Sequence, residues 1–77
     1  MESKSVGWLG YNYSNDRMGI LNNLDLWEED GLHCGQGLWV FIDNEWKADR
    51  LEMYQGQWYL VESKLKGDEL EGLKVKY

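Results

Sequence analysis

The spacing of glycine constrains the fold of this chain more than any other sequence feature. Nine glycines and no proline occur in 77 residues, and the glycines divide the chain into short pieces. Glycine weakens the interior of a helix and supplies the backbone conformations that tight turns require. A helix of more than three turns therefore has little room, and the pattern predicts an all-β protein.

The clearest strand pattern is a three-stranded meander in the middle of the chain. Leu38–Ile42 is a run of strand-forming residues, and the three residues 43–45 have the composition of a tight turn. A second strand-forming stretch, Trp46–Tyr54, ends at the turn signal Gln55–Gly56, and the stretch 57–62 follows directly. The spacing predicts two consecutive hairpins with short connections.

Three further segments complete the predicted architecture. Residues 8–13 and 17–21 flank a Ser-Asn-Asp turn, and Leu73–Tyr77 alternates apolar and polar residues like a closing strand. Residues 21–30 fit one turn of helix or irregular structure. Because no helix covers a sheet face, we expect a small antiparallel barrel of five to six strands, SH3-like, with an irregular acidic segment. One domain should span residues 1–77, with residues 1–5 disordered.

The two faces of the central strand are both apolar. Side chains alternate along a strand, so Leu38, Val40 and Ile42 share one face and Trp39 and Phe41 share the other. Two interpretations stay open at this point. The two rings lie beneath the segment 24–32, or they form an exposed aromatic surface for a partner.

Charge is distributed unevenly along the chain. The net charge is −6, and residues 18–46 contain six acidic residues and no Lys or Arg, so that this stretch carries the whole excess. Such a surface would attract a basic protein and disfavour duplex nucleic acid. Aromatic residues beside the acids would supply the apolar anchor of a protein interface. The predicted partner-binding residues are Asp25, Glu28, Glu29, Asp30, Trp39, Phe41, Asp43, Glu45 and Trp46.

Residues that could support catalysis or bind a metal are scarce. His33 and Cys34 are the only residues of their types, and neighbours in an extended segment point to opposite faces, which separates a nucleophile from its base. One Cys and one His do not supply a zinc site. The glycines at 31, 35 and 37 lack the lysine of a phosphate-binding loop, and the acidic residues lack calcium-loop spacing. We therefore expect no enzyme activity and no cofactor, with Cys34 buried in the core.

The sequence contains no apolar stretch long enough for a signal peptide or a membrane span. A cytoplasmic protein with a reduced Cys34 is therefore expected. It should be a monomer or weak dimer that contacts no membrane.

Several short motifs resemble a family of short domains of unknown function that occurs in Gram-positive bacteria and on their phages and other mobile elements. The most specific are Leu-His-Cys-Gly at 32–35 and Trp-Tyr-Leu-Val at 58–61, and weaker matches extend from residue 13 to the C-terminus. The resemblance implies a genomic setting and no known activity or cofactor.

Two functions are compatible with these features. The first is a non-enzymatic acidic module that binds a basic host protein. It would inhibit a nucleic-acid-handling defence protein, such as a nuclease or a CRISPR effector, by presenting carboxylates where phosphates would lie. The alternative is a module that binds small molecules or single-stranded nucleic acid on an aromatic platform. In that case Lys64, Lys66, Lys74 and Lys76 would supply the positive charge.

Overall fold

The computed structural model describes residues 5–77 and consists of strands, turns and one short helix. The strands are β1 (Val6–Asn12), β2 (Arg17–Leu21), β3 (Trp27–Glu29), β4 (Gln36–Ile42), β5 (Glu45–Tyr54), β6 (Gln57–Leu60) and β7 (Lys74–Lys76). A single turn of 3₁₀ helix, Gly67–Leu70, lies between β6 and β7. Within residues 5–77 no helix is long and apolar enough to cross a membrane.

All seven strands belong to one antiparallel sheet with the order β3-β2-β1-β7-β4-β5-β6. The all-β prediction is confirmed, but the sheet has seven strands where five or six were expected. It is also not closed, because β3 and β6 are its two edges within the described part of the chain. The closed SH3-like barrel is therefore not confirmed. The additional strand is β3, in the segment for which one helical turn or irregular structure was predicted.

The central meander is confirmed, and its turns explain its register. Asp43 and Asn44 both have positive φ, at 54° and 64°, and Gln55 and Gly56 repeat the pattern at 50° and 78°. Two successive residues with positive φ are typical of the type I′ turn, whose twist matches that of the flanking strands. The β4–β5 pairing then runs without interruption from Gln36 opposite Leu51 to Ile42 opposite Glu45.

The closing strand β7 joins the two halves of the sheet. Val75 lies between Gly7 of β1 and Val40 of β4, and its side chain is fully buried. Just beyond β7, Tyr77 exchanges two backbone hydrogen bonds with Ser5. Ser5 is thus held in the structure, whereas the disorder predicted for residues 1–4 lies outside the described residues.

The core fills the concave side of the sheet. Its buried apolar residues are Leu9, Met18, Ile20, Leu32, Leu38, Val40, Leu51, Trp58, Leu60, Leu70 and Val75. Trp58 also links distant elements, because its Nε1–H donates to the carbonyl oxygen of Asp16 at 3.3 Å. This bond brings β6 against the β1–β2 turn, so the sheet curls around its core while its opposite face stays outside.

A buried carboxylate fixes the chain where it leaves β6. Asp49 accepts hydrogen bonds from the backbone N–H groups of Arg50, Glu62 and Ser63 at 2.7 to 2.9 Å. Burial alone would raise the pKa of Asp49, but the donors from Glu62, Arg50 and Ser63 outweigh it, and the pKa lies below its ordinary value. The charged form therefore stabilises the fold.

Replacing this carboxylate tests that contribution. We expect Asp49→Asn to lower the free energy of unfolding by about 2 kcal/mol near neutral pH, because the amide loses one acceptor oxygen. Since the folded-state pKa is depressed, the wild-type advantage is present above the unfolded-state pKa of about 3.9 and is lost as pH falls through the folded-state pKa. Urea unfolding of both proteins across this range measures the difference, and a difference independent of pH would contradict the assignment.

Candidate binding surfaces

The nine predicted partner-binding residues fall into two groups that lie apart in the sheet. Residues 25–30 form the tip and outer strand of the β2–β3 hairpin, at one edge of the sheet. The remaining five lie on β4, β5 and the turn that joins them. Strands β2, β1 and β7 lie between β3 and β4, a separation of about 19 Å along a flat sheet. The structure therefore does not bring the acids of residues 25–30 beside Trp39, Phe41 and Trp46.

The first surface is the acidic hairpin, which we define as residues 22–30. Its tip is organised by the side chain of Asn22, whose Oδ1 accepts from the backbone N–H groups of Leu24 and Leu26 at 2.8 and 3.1 Å. The Nδ2 of the same side chain donates to Oε2 of Glu28 at 2.8 Å. Asp25 adopts a positive φ of 61° within this turn. The tip is consequently fixed by local hydrogen bonds.

The other end of the acidic hairpin is anchored to the β1–β2 turn. The carbonyl oxygen of Asp30 accepts from the side-chain amides of Asn12 and Asn15 at 2.9 and 2.8 Å. Asn12 is itself buried. Both ends of the acidic hairpin are therefore held by hydrogen bonds within the chain.

Apolar side chains project from the acidic hairpin into solvent. Leu24 is 72% exposed, Leu26 is 59% exposed and Trp27 is 40% exposed. The Trp27 ring lies over Gly19, where a Cβ would come within 2.7 Å of it, and its edge reaches Gly10. Asp25, Glu28, Glu29 and Asp30 are exposed on the same hairpin, which therefore combines exposed apolar side chains with acidic ones. Trp27, rather than Trp39, Phe41 or Trp46, is the tryptophan that the structure places on the same hairpin as these acids.

A cleft of about 450 Å³ opens beside the tip of the acidic hairpin. Trp8 and Leu21 contribute apolar surface to it, and Asp25 and Glu71 contribute carboxylates. Glu71 is held in place because its Oε2 accepts from the backbone N–H of Tyr11 at 2.8 Å. A ring beside two carboxylates suits the side chain of a lysine or arginine.

The second surface is the aromatic face, which we define as Trp39, Phe41, Trp46, Lys74 and Lys76. Trp39 is 41% exposed, and the rings of Phe41 and Trp46 lie 5.0 Å apart. The predicted alternation along β4 is confirmed, because Leu38 and Val40 are buried on the opposite side. The segment 24–32 does not cover the rings, since β2, β1 and β7 lie between β3 and β4 in the sheet.

Lysines rather than acids lie over the aromatic face. The Nζ of Lys76 is 4.5 Å from the centroid of the Trp46 ring, and the Nζ of Lys74 is 5.5 Å from that of Phe41. Asp43 and Glu45 lie at the end of the β4–β5 hairpin, and Glu45 pairs with Ile42, on the side of β5 opposite to Trp46. The local charge of this surface is therefore positive.

The environment of Cys34 differs from the prediction. Cys34 is exposed and free, not buried in the core, because the turn that contains it lies outside the sheet. The ring Nδ1 of His33 lies 3.3 Å from the guanidinium of Arg17. Among residues 5–77, no three His, Cys, Asp or Glu side chains come together in a group that could hold a metal ion.

The residues that sequence reasoning missed are Leu24, Leu26 and Trp27. One of the two interpretations of the sequence places the segment 24–32 over Trp39 and Phe41, because an apolar residue next to turn signals is as compatible with packing as with exposure. The available signal was the neighbouring Asn22–Asn23 pair, which favours a turn and hence a solvent-exposed position for the leucine that follows.

Comparison with known proteins identifies a family and a structural relative. A domain of unknown function (DUF5348) matches residues 7–77. The crystal structure of a protein from Ruminococcus gnavus superposes with a TM-score of 0.77 at 34% sequence identity, covering 95% of this chain and all of the other. No protein with a curated description matches the chain. The resemblance to a short domain of unknown function is thus confirmed, whereas a phage or mobile-element origin stays a prediction.

Proposed function

The chain belongs to DUF5348, a family whose function is unknown, and we propose that it is a non-enzymatic binding module whose acidic hairpin docks on a basic protein. The observation that carries this proposal is the exposure of Leu24 and Leu26 on a turn that Asn22 fixes with hydrogen bonds. Exposed apolar residues on a rigid, acid-lined turn have the composition of an interface anchor with a polar rim.

Rigidity of the tip favours affinity. A flexible loop loses conformational freedom when it binds, and each ordered side chain adds to that cost. Asn22 makes three hydrogen bonds within the hairpin, and the carbonyl oxygen of Asp30 accepts two from side-chain amides, so residues 22–30 have less conformational freedom to lose on binding. Less of the free energy gained from contacts with a partner is then offset by the loss of conformational entropy.

Charge selects the class of partner. The rim of the hairpin consists of Asp25, Glu28, Glu29 and Asp30, and the neighbouring cleft adds Glu71. A partner with a lysine or arginine opposite the cleft would place its side chain against the ring of Trp8 and the two carboxylates. Long-range attraction would also accelerate encounter with a basic surface.

A more specific proposal concerns the identity of that partner. Carboxylates arranged along a turn can occupy positions where a nucleic-acid-handling protein binds phosphates. A host defence protein of this class, such as a nuclease or CRISPR effector, would then be inhibited by occupation of its groove. What supports this version is the acidic charge of the hairpin together with the absence of basic residues from 18–46.

A nuclease-treated pull-down from host lysate tests the proposal. We expect the wild type to capture a Lys/Arg-rich protein and the double variant Leu24→Ser/Leu26→Ser to retain less than about a tenth of it, since truncating an interface anchor costs more than about 1 kcal/mol per residue. Both leucines are exposed, so the variant should keep the stability of the wild type. Mass spectrometry identifies the captured protein.

The matched control is Tyr13→Ser, which removes an exposed apolar side chain outside the hairpin. We expect it to capture as much partner as the wild type. Equal capture by the leucine variant, or capture of no basic protein by any form, would overturn the proposed function.

A further inference from the structure

The aromatic face continues across β5 and β6 to a second group of rings and lysines. Residues directly opposite each other on neighbouring strands share a face of the sheet. Register therefore extends the face through Arg50, Glu52 and Tyr54 of β5 to Tyr59 of β6, which bridges to Lys66. Tyr54, Tyr59, Lys64 and Lys66 line a cleft of about 490 Å³, which we call the tyrosine cleft.

Rings are accessible at both ends of this extended surface. Trp39 is 41% exposed within the aromatic face, and Tyr54 is 66% exposed at the tyrosine cleft. An unpaired base has an open π-face and gains about 1–3 kcal/mol when it stacks on such a ring. The two ends thus provide separate stacking positions along one strand of nucleic acid.

Basic side chains flank both groups of rings. Lys74 and Lys76 lie over Phe41 and Trp46, and Lys64 and Lys66 line the tyrosine cleft, so four of the six lysines belong to this surface. Arg50 lies between the two pairs and forms an ion pair with Glu52 at 2.8 Å. A carboxylate of Glu69 is also near, where it accepts from the backbone N–H of Lys66. Positive charge exceeds negative charge across the surface.

We propose that this surface binds single-stranded nucleic acid, with bases stacked on Trp39 and at the tyrosine cleft and phosphates contacted by the two lysine pairs. Rings interleaved with lysines match a ligand that alternates flat bases with anionic phosphates. A duplex hides its base faces and offers only phosphates, to which a chain with a net charge of −6 has little attraction. This inference goes beyond the proposed function, because it concerns residues of β4 to β7 and not the acidic hairpin at the β3 edge.

Fluorescence anisotropy with labelled oligonucleotides tests the proposal. The probes are single-stranded dodecamers of oligo(dT) and oligo(U), with a mixed-sequence DNA duplex and polyglutamate as competitors, at about 50 and about 200 mM salt. We expect saturable binding of at least one single strand and quenching of tryptophan fluorescence. Trp39→Ala should weaken binding about 5- to 100-fold. Lys74→Gln/Lys76→Gln should reduce the slope of log affinity against log salt by about 1.4.

Lys47→Gln serves as the charge control, because Lys47 lies opposite Val40 on the other side of the sheet, and it should bind like the wild type. Absence of binding by both single strands would overturn the proposal. If duplex DNA or polyglutamate competes as strongly as single strands do, the proposal is also overturned. The surface would then recognise negative charge alone. These outcomes are independent of the pull-down, which tests the acidic hairpin in nuclease-treated lysate.

Discussion

Gly19→Val is expected to destabilise the protein by about 3 kcal/mol, the upper range for forcing extra volume into a packed site. A Cβ at this position would lie 2.5 Å from the carbonyl oxygen of Glu29 and 2.7 Å from Cζ3 of Trp27. The ring could rotate away, but the Glu29 oxygen belongs to the backbone of β3. The substitution must therefore displace β3 from β2 and disturb the acidic hairpin.

Gly37→Val provides the control for this result. Gly37 also lies within a strand, but a Cβ there would meet nothing within 4 Å. Valine favours the strand conformation, so the stability should change by less than about 0.5 kcal/mol or increase. Urea unfolding followed by tryptophan fluorescence measures both variants. If Gly19→Val were as stable as Gly37→Val, the placement of β3 and Trp27 over β2 would be wrong.

The parts of the fold that sequence predicts are those determined by local chemistry. The hairpins β4–β5 and β5–β6 follow from turn residues at 43–44 and 55–56 that adopt positive φ, and alternation along β4 identifies its buried face. Pairing over long sequence distances has no comparable local signal. The insertion of β7 between β1 and β4 is such a case, because nothing near Val75 in the sequence specifies Gly7 or Val40 as its neighbours.

The same distinction applies to the candidate sites. Composition identifies the acidic and aromatic residues, but whether they form one surface depends on strand order. The order places β2, β1 and β7 between the acids of β3 and the rings of β4. Lys74 and Lys76 come to lie over Phe41 and Trp46 for the same reason. Sequence thus predicts the components of each surface, and topology decides which components meet.

Charge reversal in the acidic hairpin should have a large effect on binding. We expect Glu28→Lys/Glu29→Lys to slow association with the captured basic partner about 10- to 100-fold at low salt. The reason is that the electrostatic attraction between the hairpin and the partner becomes repulsion. The effect should shrink as salt increases, since screening shortens the range of the interaction. Glu28 and Glu29 lie on an exposed edge strand, so the sheet should tolerate the change. Glu28→Lys also removes the hydrogen bond from Asn22 Nδ2, but the two bonds that Asn22 Oδ1 accepts at the tip remain.

The most direct test of the acidic hairpin as the binding surface compares this variant with a charge-matched one. Glu45→Lys/Glu62→Lys changes two acids away from β3, and either double variant moves the net charge from −6 to −2. Association rates with the partner, measured by stopped-flow fluorescence at low and high salt, separate position from total charge. We predict a strong decrease for the Glu28/Glu29 variant and a change of less than about threefold for the Glu45/Glu62 variant. Equal decreases in both variants, or none in either, would contradict docking through the acidic hairpin.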